Sequence, residues 1–378
     1  MSADFVPATT EIQARTPGWR VLIPLALLLL FAGQCWWFMH TQSMTVDEPF
    51  HILSGQTAWR QGAFKDFDDN PPLVRLWFTL LLRDAQWQIE KQHGSRVTAI
   101  RPEPQALLVR ARAMNLLLGL ALGAVLWVAA RRLFSTGAAN FALALYALSP
   151  SLVAHFSLAT HDAPVTLGII GAAWLLALWR RNPTWPRTLV LGVVLGAMLG
   201  TKHSAVSMFA LALALALILA PEGIRWNPLR WNWSRVTVMA LLALLVVWGS
   251  YFFHVSQVTL RDGRLHATFP NFPWPLETDV PVRMNATFYV PAAEYLTGLV
   301  NAAQSSRRGF KTFLLGESYQ GGRRSFFPLV MALKWPTLVL LTAAAGGLFL
   351  LLRRPARPAG LGLLLLFPAA YFGLVMMS

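Results

Sequence analysis

The sequence has a single cysteine, few charged residues and none of the short motifs that hold nucleotides. Cys35 is the one cysteine among 378 residues, so the chain forms no intrachain disulfide. There is no P-loop, no Gly-x-Gly-x-x-Gly after a predicted strand, and no Cys-x-x-Cys or His-Glu-x-x-His pattern. These absences give nucleotide binding no support.

Charged residues make up 13% of the chain and hydrophobic residues 55%, in long apolar blocks separated by short Arg-rich connectors. This distribution is typical of a polytopic membrane protein. We predict an all-α protein, with a cytoplasmic tail at 1–18 and a transmembrane domain at 19–378. Roughly nine spans are expected, of which 188–199 is short for a full crossing. Their predicted bounds are 21–38, 106–130, 138–156, 165–179, 188–199, 205–220, 236–253, 329–352 and 361–377.

The formal net charge of +15 would indicate a nucleic-acid partner in a soluble protein. Here the arginines lie in alternate connectors, which the positive-inside rule places in the cytoplasm together with the amino terminus. The sequence therefore predicts membrane lipids, and no nucleic acid, as partners. The basic groups are Arg15 and Arg20; Arg131 and Arg132; Arg180, Arg181 and Arg187; Arg225, Arg230 and Arg235; and Arg353, Arg354 and Arg357.

The acidic residues show the opposite bias. Of 17, eight lie within 47–103, one is Asp162 and five lie within 262–317, all on the predicted outer side. The two long outer segments, 41–105 and 255–327, are therefore where function is expected. The first is amphipathic and is expected to lie along the membrane surface as short helices.

Two adjacent carboxylates, Asp47 and Glu48, follow the first predicted span. Asp47 suits the N-cap of a helix with Glu48 and Pro49 in its first turn, and His51 would then share a face with Asp47. A helix cap and a reactive carboxylate are both consistent with this position.

Further polar residues lie at the predicted outer ends of other spans. Asp69 precedes Pro71 and Pro72, whose rings hold an acidic turn that is either solvated or part of the same site. Asp162 begins the fourth span, where a carboxylate is costly unless hydrated, paired or metal-bound. Its flanking residues His155 and His161 fit ordinary interfacial hydrogen bonds better than metal ligation.

Several cations are candidates for binding a phosphate. Lys202, beside His203, either snorkels to the interface or meets an anionic head group. Arg323 and Arg324 follow two glycines that would let the backbone approach a phosphate. Lys334, about two turns into the eighth predicted span, is costly unless it faces a polar cavity.

Taken together, these motifs resemble the polyprenyl-phosphate-dependent glycosyltransferases, the superfamily of the protein O-mannosyltransferases and the lipid A aminoarabinose transferase. The residues that carry the resemblance are Asp47-Glu48, Pro71-Pro72-Leu73 with Arg75, His161-Asp162, Thr201-Lys202-His203, and Gly316-Glu317 through Lys334-Trp335-Pro336.

The resemblance implies a GT-C type helix bundle whose active site opens to the extracytoplasmic side. It implies transfer of a sugar from a polyprenyl phosphate to an acceptor hydroxyl or phosphate, with inversion. The acceptor is open between a protein, a lipid and a glycan. Asp47 would be the general base and Glu48 a positioning residue, while Asp69 and Asp162 match further acids of the family. By the same likeness His51, Arg75, His203 and Glu317 join the substrate-binding set.

Two features depart from the family pattern. Asn70 stands where many relatives have His or Lys, which removes one potential ligand or cation. The chain also ends at an outward-going span, whereas relatives continue, so further C-terminal spans are expected to be missing.

The chemistry needs a base near the nucleophilic hydroxyl and positive charge on the departing phosphate. No nucleotide or redox cofactor is required. A divalent ion held by Asp47, Asp69, Asp162 or a nearby histidine is an alternative that the spacing of these residues does not decide. We expect a bacterial inner membrane with the site facing the periplasm or exterior. The rival hypotheses are a transporter or flippase for a lipid-linked or anionic molecule and a non-catalytic structural subunit.

Overall fold

The computed structural model describes residues 19–64, 70–85, 88–93, 96–101, 105–218, 232–269, 275–282, 284–309, 311–353 and 369–373. The predicted tail, Asp69 and most of the ninth predicted span lie outside them. Within these ranges the chain is predominantly helical, as predicted. The helices are α1 Trp19–Thr41, α2 Glu48–Gln61, α3 Leu73–Phe78, α4 Gln105–Leu133, α5 Thr136–Ala147, α6 Pro150–Phe156, α7 Asp162–Arg181, α8 Trp185–Leu199, α9 Ser204–Ile218, α10 Trp233–Ser250, α11 Ala293–Arg308, α12 Phe326–Lys334 and α13 Thr337–Arg353.

Four of the described helices, α1, α4, α7 and α10, are long and apolar enough to cross a membrane. Two bent helix pairs raise that number to six if each pair is one span. These helices make the chain an integral membrane protein. The expected total of about nine spans stays a prediction.

Two predicted spans are bent. The third breaks between α5 and α6 by 66°, where Ser149 precedes Pro150, and the eighth breaks between α12 and α13 by 115°, at Trp335-Pro336. Proline lacks an N–H and disfavours helical geometry in the residue before it, which explains both positions.

Three small antiparallel sheets in the outer segments were not predicted. The first is the hairpin of β1 Gln88–His93 and β2 Arg96–Arg101, where only surface helices were expected. The remaining strands are β3 Val255–Arg261, β4 Arg264–Ala267, β5 Leu276–Asp279, β6 Ala286–Pro291, β7 Lys311–Leu314 and β8 Glu317–Gln320. The second sheet has strand order β5-β4-β3-β6, and the third pairs β7 with β8.

The arginines of the connectors next to α7, α8 and α10 lie at the opposite end of the bundle from the acidic outer segments. At one end Arg187, in the first turn of α8, donates to the carbonyls of Leu178 and Asn182 where α7 ends. The Arg235 guanidinium, at the start of α10, lies over the Trp185 ring. The acidic outer segments gather at the other end, where Tyr251 after α10 packs against Phe64. This separation agrees with the charge map drawn from the sequence.

Helices α8 and α10 pack closely through Gly192 and Gly196. A Cβ added at Gly196 would lie 2.6 Å from the Ala243 carbonyl oxygen, and one at Gly192 would lie 2.9 Å from that of Met239. Small residues of this kind let membrane helices approach to backbone contact.

We therefore expect Gly196→Ala to destabilise the protein by about 1–3 kcal/mol, because the added methyl group pushes the two helices apart. Thermal unfolding in detergent measures the effect. Gly171→Ala on α7 is the matched control, since its Cβ would meet Val194 at an ordinary 3.7 Å. Equal melting temperatures for the two variants would contradict the prediction.

Candidate functional site

The two adjacent carboxylates at the start of α2 differ in their exposure to solvent. Asp47 occupies the N-cap position and its side chain is exposed, whereas Glu48 in the first turn is completely buried. Among the described residues the Asp47 carboxylate makes no capping hydrogen bond, so the cap considered from the sequence is not formed. Instead the Thr45 N–H and hydroxyl both donate to Glu48 Oε2, at 2.9 and 3.1 Å. The Asp47 carboxylate is therefore not used to cap the helix.

Glu48 forms a buried ion pair with Arg112 of α4. Arg112 Nε donates to Glu48 Oε1 and Nη2 to Oε2, both at 2.7 Å, and neither side chain is exposed to solvent. The Ala159 N–H, in the loop between α6 and α7, also donates to Glu48 Oε1, at 3.0 Å. Burial alone raises the pKa of Glu48, but the Arg112 hydrogen bonds and charge, with the Thr45 and Ala159 N–H groups, hold it below its ordinary value.

Arg112 also holds the chain that leads from α1 to α2. Its Nη1 donates to the carbonyls of Met39 and Gln42, each at 2.9 Å, and its Nη2 donates to that of Ser43, at 2.8 Å. One guanidinium thus fixes the end of α1, the connecting loop and the first turn of α2. Arg112 is not among the site residues predicted from the sequence.

Asn115 lies one helical turn beyond Arg112 on α4 and is also buried. Its Nδ2 donates to the carbonyls of His155 and Leu158, so it fixes the chain between α6 and α7. Arg112 and Asn115 therefore hold the two loops that carry Asp47 and Asp162.

The start of α7 brings the second set of predicted residues to the same place. Lys202, between α8 and α9, donates to Asp162 Oδ1 at 2.6 Å. Asp162 is 57% exposed and Lys202 33% exposed, so the pair reaches the surface. The His161 ring packs edge-on against the His51 ring, with centroids 4.4 Å apart. The contact between His51 of α2 and His161 thus places the start of α7, with the Asp162–Lys202 pair, against α2.

Arg75, in α3, is hydrogen-bonded to the turn that precedes this helix. This side chain, predicted to contact substrate, is 1% exposed, and its Nη2 donates to the Asn70 carbonyl at 2.8 Å. In the described structure Arg75 therefore supports the Pro71-Pro72 turn. The predicted acid Asp69 lies outside the described residues.

His203 faces the second outer segment. It is buried, and its ring lies 4.9 Å from that of Tyr295 on α11. Burial raises the pKa of Tyr295 to about 12. The neighbouring buried Glu294 lies 3.4 Å from the His254 ring nitrogen. These contacts connect α11 to the turn that carries Lys202.

The predicted residues near α12 form a separate, exposed group. Arg323 donates to Glu317 at 3.2 Å and its guanidinium lies over the Tyr319 ring. Arg324 is exposed, and Lys334 is exposed at the last residue of α12, where the bend to α13 begins. The sequence predicted that Lys334 lies inside a continuous span. In the structure it lies instead at the bend between α12 and α13.

No group of three or more His, Cys, Asp or Glu side chains within the described residues is arranged to hold a metal ion. Asp69, a predicted candidate ligand, is outside that set. Binding of a divalent ion with Asp69 as one of its ligands is therefore still a prediction.

Comparisons with known proteins bear on the bundle that carries this site. Residues 105–249, from α4 nearly to the end of α10, match the family model for dolichyl-phosphate-mannose-protein mannosyltransferase. The match confirms the resemblance indicated by the motifs. It includes Arg112, Asp162 and Lys202 but neither Asp47 nor the second outer segment. None of the curated proteins compared with the chain matches it.

Two solved structures align with the chain at low identity. The Saccharomyces cerevisiae protein O-mannosyltransferase Pmt1-Pmt2 complex bound to the sugar donor aligns at 16% identity and a TM-score of 0.43, over 62% of this chain and 32% of that one. The oligosaccharyltransferase AglB of Archaeoglobus fulgidus, in complex with an inhibitory peptide and a dolichol-phosphate, aligns at 13% identity and a TM-score of 0.44, over 76% of this chain and 32% of that one. The chain thus spans about a third of the length of these structures.

Proposed function

We propose that the chain is a membrane glycosyltransferase of GT-C type that moves a sugar from a polyprenyl-phosphate donor to an acceptor hydroxyl or phosphate. The observation that carries the proposal is the packing of the start of α2 against the start of α7. Glu48, adjacent to exposed Asp47, accepts from the Ala159 N–H, and the His51 ring contacts that of His161 beside the Asp162–Lys202 pair. The family match over 105–249 supports it. The proposed site faces the extracytoplasmic side of a bacterial inner membrane, as the positive-inside pattern favours.

Asp47 is the proposed general base. The acceptor oxygen attacks the anomeric carbon while the Asp47 carboxylate takes the acceptor proton. The bond between that carbon and the donor phosphate oxygen breaks, and its electron pair leaves with polyprenyl phosphate. A single displacement of this kind inverts the anomeric centre. Asp47 is suited to the role because its side chain is exposed and is not used to cap α2.

Lys202 is the proposed cation for the departing phosphate. An ammonium group has three donors, and one of them is directed at Asp162, so others can meet phosphate oxygens. Asp162 orients Lys202 in this scheme. Positive charge held at the leaving group stabilises the charge that develops there in the transition state.

The proposal is tested by incubating the purified, reconstituted chain with polyprenyl-phosphate-linked radiolabelled mannose and a mixture of envelope acceptors. We expect label to leave the lipid and polyprenyl phosphate to be released. Movement of intact labelled lipid across the bilayer without cleavage would contradict the proposal and favour a flippase.

Lys202→Gln is expected to lower kcat/KM for the donor by about 100-fold, because the leaving phosphate loses a directed cation. Lys202→Arg should retain part of the activity, since the charge is kept while its geometry changes. The control is Arg261→Gln, which removes a cation that is 81% exposed on β3. Equal rates for Lys202→Gln and the control would remove Lys202 from the proposed site.

A further inference from the structure

An exposed basic and apolar surface covers the β7–β8 hairpin and α12. Phe313 on β7 is 65% exposed and Leu315 at the hairpin turn is 71% exposed, and large apolar side chains are also exposed on and just after α12. Cations lie among them. We call this set the basic-apolar surface; its residues are Lys311, Phe313, Leu315, Arg323, Arg324, Phe327, Leu333, Lys334 and Trp335.

Chain connectivity places this surface close to the membrane. Helices α12 and α13 pass the hydropathy test for a span when taken together. The hairpin ends at Gln320 and α12 begins at Phe326, so the link of residues 321–325 reaches about 18 Å at full extension. The hairpin therefore cannot lie far from the point at which the chain enters the bilayer.

Helix α12 is too short to cross the bilayer by itself. Its nine residues extend for about 13 Å, against a hydrocarbon core of about 30 Å, and it meets α13 at 115°. A short apolar helix that ends in Lys334 and Trp335 has the composition of a segment lying in the interface, where lysine and tryptophan side chains act as anchors.

The local charge is opposite to that of an anionic lipid surface. Between 307 and 324 the sequence has Arg307, Arg308, Lys311, Arg323 and Arg324 against a single acid, Glu317. The remainder of the outer segments is rich in acids, so this cluster departs from the positive-inside pattern and requires its own explanation.

We infer that the basic-apolar surface docks on the outer leaflet, with Phe313 and Leu315 inserted at the head-group level and the cations on anionic lipid head groups. Bilayer head groups and the sugar donor both carry a lipid phosphate, and the exposed, convex arrangement of these side chains fits the bilayer. Small-ligand sites are concave and largely buried, whereas these side chains are spread over an exposed hairpin and helix. The inference does not depend on the proposed transferase activity.

The test places an environment-sensitive NBD label at Phe313→Cys in the full-length, reconstituted chain. Native Cys35 is buried, so labelling is directed to the new cysteine. In vesicles containing phosphatidylglycerol we expect blue-shifted emission and quenching by head-group nitroxide lipids. The control is His266→Cys on β4, whose side chain is 56% exposed among polar neighbours, and it should be quenched far less.

A lipid comparison with the same labelled protein tests the charge. Quenching at position 313 should fall several-fold in pure phosphatidylcholine, since each basic residue at an anionic surface contributes about a fivefold preference. The triple variant Lys311→Gln, Arg323→Gln, Arg324→Gln should reproduce that fall in phosphatidylglycerol vesicles.

Two results would overturn the inference. One is equal quenching at 313 and 266 in anionic vesicles. The other is recovery of quenching in phosphatidylcholine by a trace of polyprenyl phosphate alone, which would assign the cations to the donor. Because the lipid comparison uses unaltered charges, misfolding of the triple variant cannot obscure the outcome.

Discussion

Replacing Asp47 with asparagine is expected to lower sugar transfer by a factor of about 10²–10⁴, the usual contribution of a positioned general base. Asparagine keeps the size of the side chain but cannot take the acceptor proton. The measurement is release of polyprenyl phosphate from the labelled donor by reconstituted protein.

The structure predicts that Asp47→Asn leaves the fold intact. Asp47 is exposed, and the start of α2 is fixed by its neighbour Glu48, which accepts hydrogen bonds from Arg112 and from the Ala159 N–H. The melting temperature and donor binding should therefore stay close to those of the wild type, so that the loss is confined to kcat. A lowered melting temperature would instead indicate a structural role.

The matched control is Asp262→Asn at the β3–β4 turn. Asp262 is exposed and has a φ of 50°, a conformation that asparagine also tolerates well. It should transfer sugar at the wild-type rate. Full activity of Asp47→Asn would exclude Asp47 as the base, and loss of activity in the control would show that the assay reports something other than the site.

The helical part of this fold was predictable from the long apolar blocks. Inside a bilayer the backbone N–H and C=O groups must bond within the protein, and a single apolar segment satisfies them by forming a helix. The strands were harder to detect, although Asp262-Gly263 between two short alternating segments is a strong hairpin signal. Both residues have positive φ, as a two-residue hairpin turn of this type requires. The prominence of helical blocks obscured that local pattern.

The exposed candidates at the site could be found from the sequence, but the residues that hold them could not be assigned. Asp47, Asp162 and Lys202 stand out because ionisable groups at the ends of spans are costly. Arg112 is a similar anomaly, an arginine near the outer end of α4, yet its partner Glu48 lies 64 residues away. A contact at that sequence separation depends on how the helices pack, which hydropathy does not specify.

The buried Glu48–Arg112 pair is expected to be the most sensitive point in the fold. Arg112→Met leaves an uncompensated carboxylate in a site with no solvent exposure and removes the hydrogen bonds to three carbonyls at the end of α1 and in the loop after it. Breaking such a pair costs about 3–5 kcal/mol. Thermal unfolding should show the loss, and the control is Arg110→Met, an exposed arginine two residues away on the same helix.

The pair should also make stability depend on pH in a defined direction. The pKa of Glu48 is lowered in the folded protein because the Arg112 hydrogen bonds and charge outweigh the opposing effect of burial. Its stabilising contribution is therefore complete above the unfolded value of about 4.3 and is lost as the pH falls through the lower folded pKa. Glu48→Gln removes this titration. The difference in melting temperature between wild type and Glu48→Gln should be constant near neutral pH and should shrink below about pH 4; a difference that stays constant to pH 3 would show that Glu48 does not titrate in this range.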